Sequence, residues 1–307
     1  MKIGIMYPQT EIEADAGPIR EFVQGVESMG FTHLLAIEHV VGANTASRPG
    51  WAAPYSHTSI FQEPFVLLSF VAGFATSLEL ATGILILPQR QTVLVAKQAA
   101  CLDVMCGGQL RLGVGTGWNP VEYQALGMDF GNRAERYEEQ IELLRALWTA
   151  PVLSWNTRHH AIDDAGINPL PVQRPIPLWL GGVGLPPGSP LWYSPASDKV
   201  LRRIARVADG WIPNWSPDDH GLAMMARFRE LCREYRRDPG AIGLEGRITL
   251  DLNTQDRWPD ELQAWRAVGA THVTVNTMLL GVTGAERQLR RIEQLRAALP
   301  PGRLDLK

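Results

Sequence analysis

Residues 3–7 form a short apolar run closed by Pro8, and they predict a first strand. Over 18–29 the apolar positions change period: Ile19, Phe22, Val23 and Val26 share one face of a helix that Gly30 ends. This alternation of short apolar run and amphipathic segment recurs along the whole chain. Further strands are predicted at 32–37, 79–87, around Leu110, Leu112 and Val114, at 178–180, 210–213, 248–252 and 272–276. The run 79–87 is apolar almost throughout, as in a strand covered on both faces. Helices are predicted at 64–76, at 92–105 with Thr92 as cap, and at 132–148 with Tyr137, Ile141, Leu144 and Trp148 on one face. Others follow at 197–208 with Ser197 as cap, 218–236, 259–268 and 285–299.

Each predicted strand is followed by a helix, and the count reaches eight. Strict alternation forces parallel pairing through right-handed crossovers. Eight such units in 307 residues predict an α/β fold, a (β/α)8 TIM barrel with loop insertions. An open doubly wound sheet is the competitor, but no dinucleotide fingerprint follows strand one. The barrel is expected to occupy 1–307 as one domain, with insertions near 40–62, 151–177 and 183–196. The second should hold a small hairpin, and the third is Pro-rich, aromatic and uncharged.

Composition narrows the class. The chain is 45% hydrophobic and 20% charged, with a formal net charge of -3, the profile of an ordinary soluble protein. It has no basic run, so neither nucleic acid nor a membrane surface is an expected partner. The N-terminal apolar run is too short for a signal peptide, and no stretch of ~18 apolar residues exists. Cys101, Cys106 and Cys232 have no metal-type spacing, which fits a reducing cytoplasm. His159 and His160 are adjacent and would point apart on a strand, so no metal site is expected. No lysine falls at the C-terminal end of a strand, which disfavours a sugar-phosphate aldolase or isomerase.

Barrels bind ligands at the C-terminal ends of their strands, so chemistry is sought there. His39 stands at the tip of strand two and can move a proton near neutral pH or hydrogen-bond a bound ring. Its neighbour Glu38 is either an acid or base itself or the group that fixes the tautomer of His39. Gly107 and Gly108 stop a helix. Gly113, Gly115 and Gly117 then either clear the way for a ligand or only make a tight strand-to-helix turn. The Gly181-Gly182 turn and the helix after it offer backbone N–H groups to an anion, with Arg202 and Arg203 near that end. Trp51, Tyr55, His57 and Phe61 in the 40–62 segment suggest a mostly apolar substrate, or simply anchor the loop.

Several stretches carry a family resemblance. They are Gly30-Phe31 through Ile37-Glu38-His39, the run from Ala81 to Pro88-Gln89-Arg90, Ala96-Lys97-Gln98 to Asp103, and Leu112-Gly-Val-Gly-Thr-Gly-Trp118-Asn119. Glu122, Leu126-Gly127, Arg133 to Thr149, Gln173-Arg-Pro175, Leu180-Gly-Gly182 and Asp209-Gly210-Trp211 follow in order. The chain resembles the luciferase-like oxidoreductases, barrels that use flavin or deazaflavin. Leu87-Pro-Gln-Arg90 and the glycine stretch are most similar to members using coenzyme F420. The resemblance implies hydride transfer between F420 and a small, largely apolar organic substrate. FMN-dependent monooxygenation is the alternative, and a non-catalytic flavin-binding or degenerate barrel is the second. It further implies that Thr82, Gly83, Ile84 and Leu85 bulge under the cofactor ring, that His39 faces its reacting edge, and that Thr116, Gly117 and Trp118 line the ring pocket. Gly181 and Gly182 would hold the phosphate, and a homodimer would form through the second and third helices.

Overall fold

The computed structural model describes residues 1–51, 55–182, 198–251, 257–302 and 304–305. The 183–196 insertion and the Ser197 cap therefore lie outside the described residues. Parallel strands β1 (Lys2–Met6), β2 (His33–Ala36), β3 (Glu79–Thr82), β4 (Leu85–Ile86) and β5 (Leu110–Gly115) form one part of the sheet. A short antiparallel pair, β6 (Leu153–Asn156) and β7 (Ala161–Ala165), lies apart, as expected for the 151–177 segment. Strands β8 (Leu178–Gly181), β9 (Gly210–Ile212), β10 (Gly243–Thr249) and β11 (His272–Asn276) complete the ring. Because β11 pairs with β1, and β3 and β4 both pair with β5, the sheet closes into an eight-stranded parallel barrel.

Helices wrap the outside: α1 (Ala16–Ser28), α2 (Pro64–Ala72), α3 (Thr92–Met105), α4 (Pro120–Ala125), α5 (Arg133–Thr149), α6 (Asp198–Val207), α7 (Asp219–Glu234), α8 (Trp258–Val268) and α9 (Ala285–Ala297). The predicted apolar face of α1 is buried, and Asp15 caps it by accepting from the Gly17 N–H. On α5, Tyr137, Ile141, Leu144 and Trp148 are all buried. Among the described residues no helix is long and apolar enough to cross a membrane.

Four expectations need correction. Strand three is not continuous over 79–87. It breaks at Gly83-Ile84, which are joined by a cis peptide bond, and resumes as β4. Thr92 is the first residue of α3 rather than its cap; Gln91 holds that place, and the Thr92 hydroxyl instead meets Gln140 and His160. The short helix α4 was not expected. Strand seven runs over Gly243–Thr249, not 248–252, because its inward positions carry charge and break the apolar pattern.

That charge belongs to the floor of the barrel, at the N-terminal ends of the strands. Arg111 on β5 lies between Glu79 of β3 and Glu245 of β10 and stacks over the Trp179 ring at 4.2 Å. His33 on β2 meets Glu245 at 3.2 Å and the Thr274 hydroxyl at 3.0 Å. His272 lies 3.6 Å from Glu79, and Lys2 pairs with Glu79 at 2.9 Å. Burial pushes both carboxyls up, but Arg111 together with His33 and, at Glu79, His272 more than offsets it and holds both well below the usual carboxylate range. His272 is lowered to about 4, chiefly by burial and then by the nearby positive charges of Arg111 and His33.

Candidate active site

A cavity of about 280 Å³ opens at the C-terminal ends of the strands. Its lining mixes apolar and polar groups. Met6, Ile37, Tyr55 and Met278 contribute apolar surface, and Asn214, Arg247 and Asn276 contribute polar groups from β10, β11 and the end of β9. Met6 and Met278 pack with Leu35 and Ala81 in a small cluster of their own beneath this mouth.

The break in strand three shapes the cavity. Ile84 leaves the ladder and lays its side chain across β5 and β8. A Cβ on Gly115 would collide with Ile84 Cδ1, and one on Gly181 would come within 2.6 Å of Ile84 Cγ2. These glycines therefore clear space for the protein's own isoleucine, a role between the two readings of the sequence. Gly113 is stricter still, since a Cβ there would strike the Thr82 carbonyl. Gly117 has φ +63° and abuts Ile86, so both backbone and packing call for glycine.

His39 stands in the wall shared by this cavity and a smaller one of about 150 Å³ under the 40–62 loop. Its ring is caged by Phe61, Tyr55 and Trp118, with centroids at 4.8, 5.0 and 5.7 Å. Its Nδ1 lies 3.0 Å from Glu122 Oε1, which also accepts from the Val40 N–H at 3.0 Å. Glu122 reaches this place because α4 starts immediately after the glycine stretch. Asn119 caps α4 by accepting from the Val121 N–H, Pro120 fits its first turn, and Tyr123 ties it down by donating to the Thr116 carbonyl. The Glu122 side chain is only 2% exposed. A carboxylate against Nδ1 fixes the hydrogen there and leaves Nε2 as the nitrogen that exchanges a proton with a ligand.

Glu38 is not the partner of His39. It points the other way, accepting from the Ile86 N–H and from Arg90, whose Nε lies 2.7 Å away. Arg90 also pairs with Glu63, the N-cap of α2, at 2.7 Å. Burial pushes the Glu38 carboxyl up, against the pull of Arg90 and the Ile86 N–H. The Glu38–Arg90 pair thus anchors β4 and the Ile84 shelf to β2.

Of the residues singled out from the sequence, the cavity brings together Glu38, His39, Gly83, Ile84, Gly117, Trp118, Gly181 and Gly182. Three do not line it. Thr82 is fully buried and donates to the Gly113 carbonyl, Leu85 packs outward into the helical layer, and Thr116 is engaged through its carbonyl by Tyr123. Gly182 does not offer a free N–H, because that group donates to the Ile212 carbonyl at 3.2 Å. Arg202 and Arg203 are taken up by Asp198, Glu234 and Glu138 on the outer helices. Sequence reasoning missed Glu122 and Arg247 as site residues. A carboxylate two residues beyond the capping Asn119-Pro120 pair was the available signal for the first; for the second there was none beyond an arginine inside a strand.

A flat tricyclic ring fits what is present. The cavity is of small-ligand size, its base is the apolar Ile84 shelf, and the glycine edges of β5 and β8 let that shelf lie low. No cluster of side chains able to hold a metal ion occurs among the described residues.

The fold is shared with solved enzymes. A monooxygenase, RslO1 from Streptomyces bottropensis, superimposes with a TM-score of 0.71 at 18% identity, covering 97% of this chain and 98% of that one. An F420-dependent secondary alcohol dehydrogenase does so with 0.71 at 14% identity over the same shares. In sequence, an uncharacterized protein of Mycobacterium tuberculosis is 34% identical over 174 residues, 57% of this chain and 55% of that one. The pyrimidine monooxygenase RutA of Allorhizobium ampelinum is 25% identical over 202 residues, 63% of this chain and 51% of that one. The chain thus spans little more than half the length of these curated relatives. The family model described as luciferase-like monooxygenase matches residues 1–299, and with the closed barrel and its rim cavity this establishes that the chain belongs to the luciferase-like monooxygenase family.

Proposed function

We propose that this protein is an oxidoreductase that moves a hydride between the deazaflavin coenzyme F420 and a small, largely apolar organic substrate. The observation that carries the proposal is the union, in one cavity, of the Ile84 shelf with the His39–Glu122 pair. The bound cofactor would supply a ring carbon that gives or takes a hydride. Everything else falls to the chain. Ile84, Gly117 and Gly181 set the depth at which a ring rests. Trp118, Tyr55 and Phe61 shield His39 from water, and Glu122 orients its ring so that Nε2 delivers or accepts the proton that accompanies the hydride. The likeness of Leu87-Pro-Gln-Arg90 and the glycine stretch to F420-using members supports the deazaflavin, as does the shared fold of the F420-dependent alcohol dehydrogenase.

An FMN-dependent monooxygenase is the second reading, favoured by the similarity to RutA and RslO1. Titrating the purified protein with each cofactor and following absorbance and fluorescence separates them. Tight binding of F420 alone supports the first reading, and binding of FMN alone replaces it with the second. If neither binds, the cavity serves another purpose and the degenerate barrel becomes the better account. A homodimer through α2 and α3 is part of the same proposal. Val66, Leu94 and Met105 on those helices are 68%, 51% and 53% exposed. Light scattering should find a dimer that Leu94→Asp dissociates, and a monomeric parent protein would remove this element.

A further inference from the structure

Among the ionisable side chains that line the cavity, the carboxylates have partners. Glu38 is held by Arg90, and Glu122 is held by His39 and the Val40 N–H. Arg247 differs. It lines the same cavity from β10, is half-buried, and its side chain makes no hydrogen bond or ion pair among the described residues. Its location is fixed by the barrel rather than by a loop. Arg247 pairs in register with Thr274 of β11, two residues above the inward-facing Glu245, and Thr249 pairs with Asn276 one layer further out. The guanidinium is thus carried on rigid backbone at the level where the filled floor gives way to open space.

The layer beneath cannot neutralise it. Glu245 is committed to Arg111, His33 and Thr274, and Glu79 to Arg111 and Lys2. A cation withdrawn from bulk water with no counter-charge is costly, and the cost is removed when a ligand brings the opposite charge. Arginine presents a planar fork of donors that matches a carboxylate in two parallel hydrogen bonds. Two carboxamides, Asn214 and Asn276, line the same cavity, together with the apolar Met6, Ile37, Tyr55 and Met278.

We propose that Arg247 is the specificity-determining residue of this cavity and that it receives a carboxylate carried by the substrate. The substrate class is then an acid with an apolar body, not an uncharged apolar molecule. The body lies against Met6 and Met278, the carboxylate on Arg247, and the reacting carbon within reach of His39. This inference deepens the proposed oxidoreductase reading and rests on it for the reaction, but not for the binding of the anion.

The test therefore runs without cofactor. Benzoate serves as the probe and benzamide as its uncharged counterpart, each titrated by calorimetry into the purified protein. Benzoate should bind and benzamide should bind at least about tenfold more weakly. Arg247→Gln should weaken benzoate about tenfold or more while leaving benzamide unchanged, and Arg247→Lys should fall between them. Thermal unfolding gives a second readout. Saturating benzoate should raise the midpoint of the parent protein and not that of Arg247→Gln, which also shows whether the variant is folded. Separate titrations with F420 and FMN complete the set, and their affinities should be the same in parent and Arg247→Gln. Equal benzoate affinity in parent and Arg247→Gln overturns the proposal. A loss of cofactor affinity with benzoate binding unchanged also overturns it, since the charge then belongs to the cofactor. A protein that binds benzoate through Arg247 but neither cofactor would keep this inference and lose the oxidoreductase reading, so the two failures are distinct.

Discussion

The barrel contains histidine–glutamate pairs at both ends, and they are put to opposite uses. At the floor, His33 faces Glu245 and His272 faces Glu79, with Arg111 between the two carboxylates. At the rim, His39 faces Glu122, and beyond the imidazole lies open space. The pair chemistry is the same; what differs is the number of remaining contacts. Each floor carboxylate meets a guanidinium, and both floor histidines have a threonine hydroxyl at Nδ1. The rim pair has one tied nitrogen and one left over. The floor's left-over nitrogen, His272 Nε2, is sealed inside the barrel 3.6 Å from Glu79, so that network is a structural plug, whereas a pair with its free nitrogen open toward a cavity is equipped for proton exchange.

The comparison is broken most forcefully at the floor. Arg111→Met leaves Glu79 and Glu245 buried around a missing cation, and we expect a loss of about 3–5 kcal/mol of stability. Urea unfolding measures it. Protein that remains folded should keep the parent's cofactor affinity, because no residue of this network lines the rim cavity. Unchanged stability would show that the network is not the plug described here.

Acid attacks the same region without mutation. His272 is lowered from its ordinary 6.5 to about 4, so between those values the unfolded chain binds a proton that the folded one refuses. Stability conferred by keeping it neutral is complete above about pH 6.5 and falls by roughly 3 kcal/mol as the pH drops toward 4. Glu79 and Glu245, held low, add a further loss once the pH passes below the ordinary carboxylate value of 4.5. His272→Gln should flatten the first limb and only trim the second, which Arg111 mainly sustains. Urea midpoints collected across pH 4–7 read this directly, and an unaltered slope in the variant would assign the first limb elsewhere.

At the rim the expected effects are kinetic. His39→Ala should lower kcat by about a hundredfold, the lower end of what a positioned proton donor contributes. Stability and cofactor affinity should change little, since the imidazole borders two cavities rather than filling a packed core. Equal losses in turnover and cofactor affinity would make His39 a binding group only.

This asymmetry also decided what could be read from the chain. The outer layer was legible because α1 and α5 bury one face, and the 3.6-residue period of Ile19, Phe22, Val23 and Val26 survives intact. His39 was legible because it follows directly on an apolar strand. The floor was not, because the inward Glu245, with Arg247 in the layer above it, breaks the apolar pattern of β10, so the expected strand begins at 248 and the observed one at 243. The glycines of β5 were read as making room for a ligand or a turn. Gly113 in fact abuts the Thr82 carbonyl and Gly115 the side chain of Ile84, thirty-one residues away, which the pairing of β4 with β5 brings alongside. Glu122 was hidden for the same reason: its contact with His39 spans 83 residues.

The finest test of the comparison asks whether Glu122 acts through His39 or merely supports the loop. Its Oε1 accepts from both His39 Nδ1 and the Val40 N–H, so truncation would disturb both. Glu122→Gln keeps the size and can still accept through its carbonyl oxygen, but removes the charge that stabilises a protonated imidazole. Partners of this kind are worth about 10–100-fold when the group they orient is chemically engaged, and we expect the lower end, about tenfold in kcat, with KM for the organic substrate nearly unchanged. The pH–rate profile is the discriminating readout. Loss of the carboxylate should displace the limb of that profile that the imidazole controls, because the cationic imidazole loses its counter-charge. A scaffold role predicts a lower rate, or a less stable loop, with that limb unmoved. If the profile of Glu122→Gln superimposes on that of the parent, the rim pair is structural like the pairs at the floor, and the distinction between the two ends rests on His39 alone.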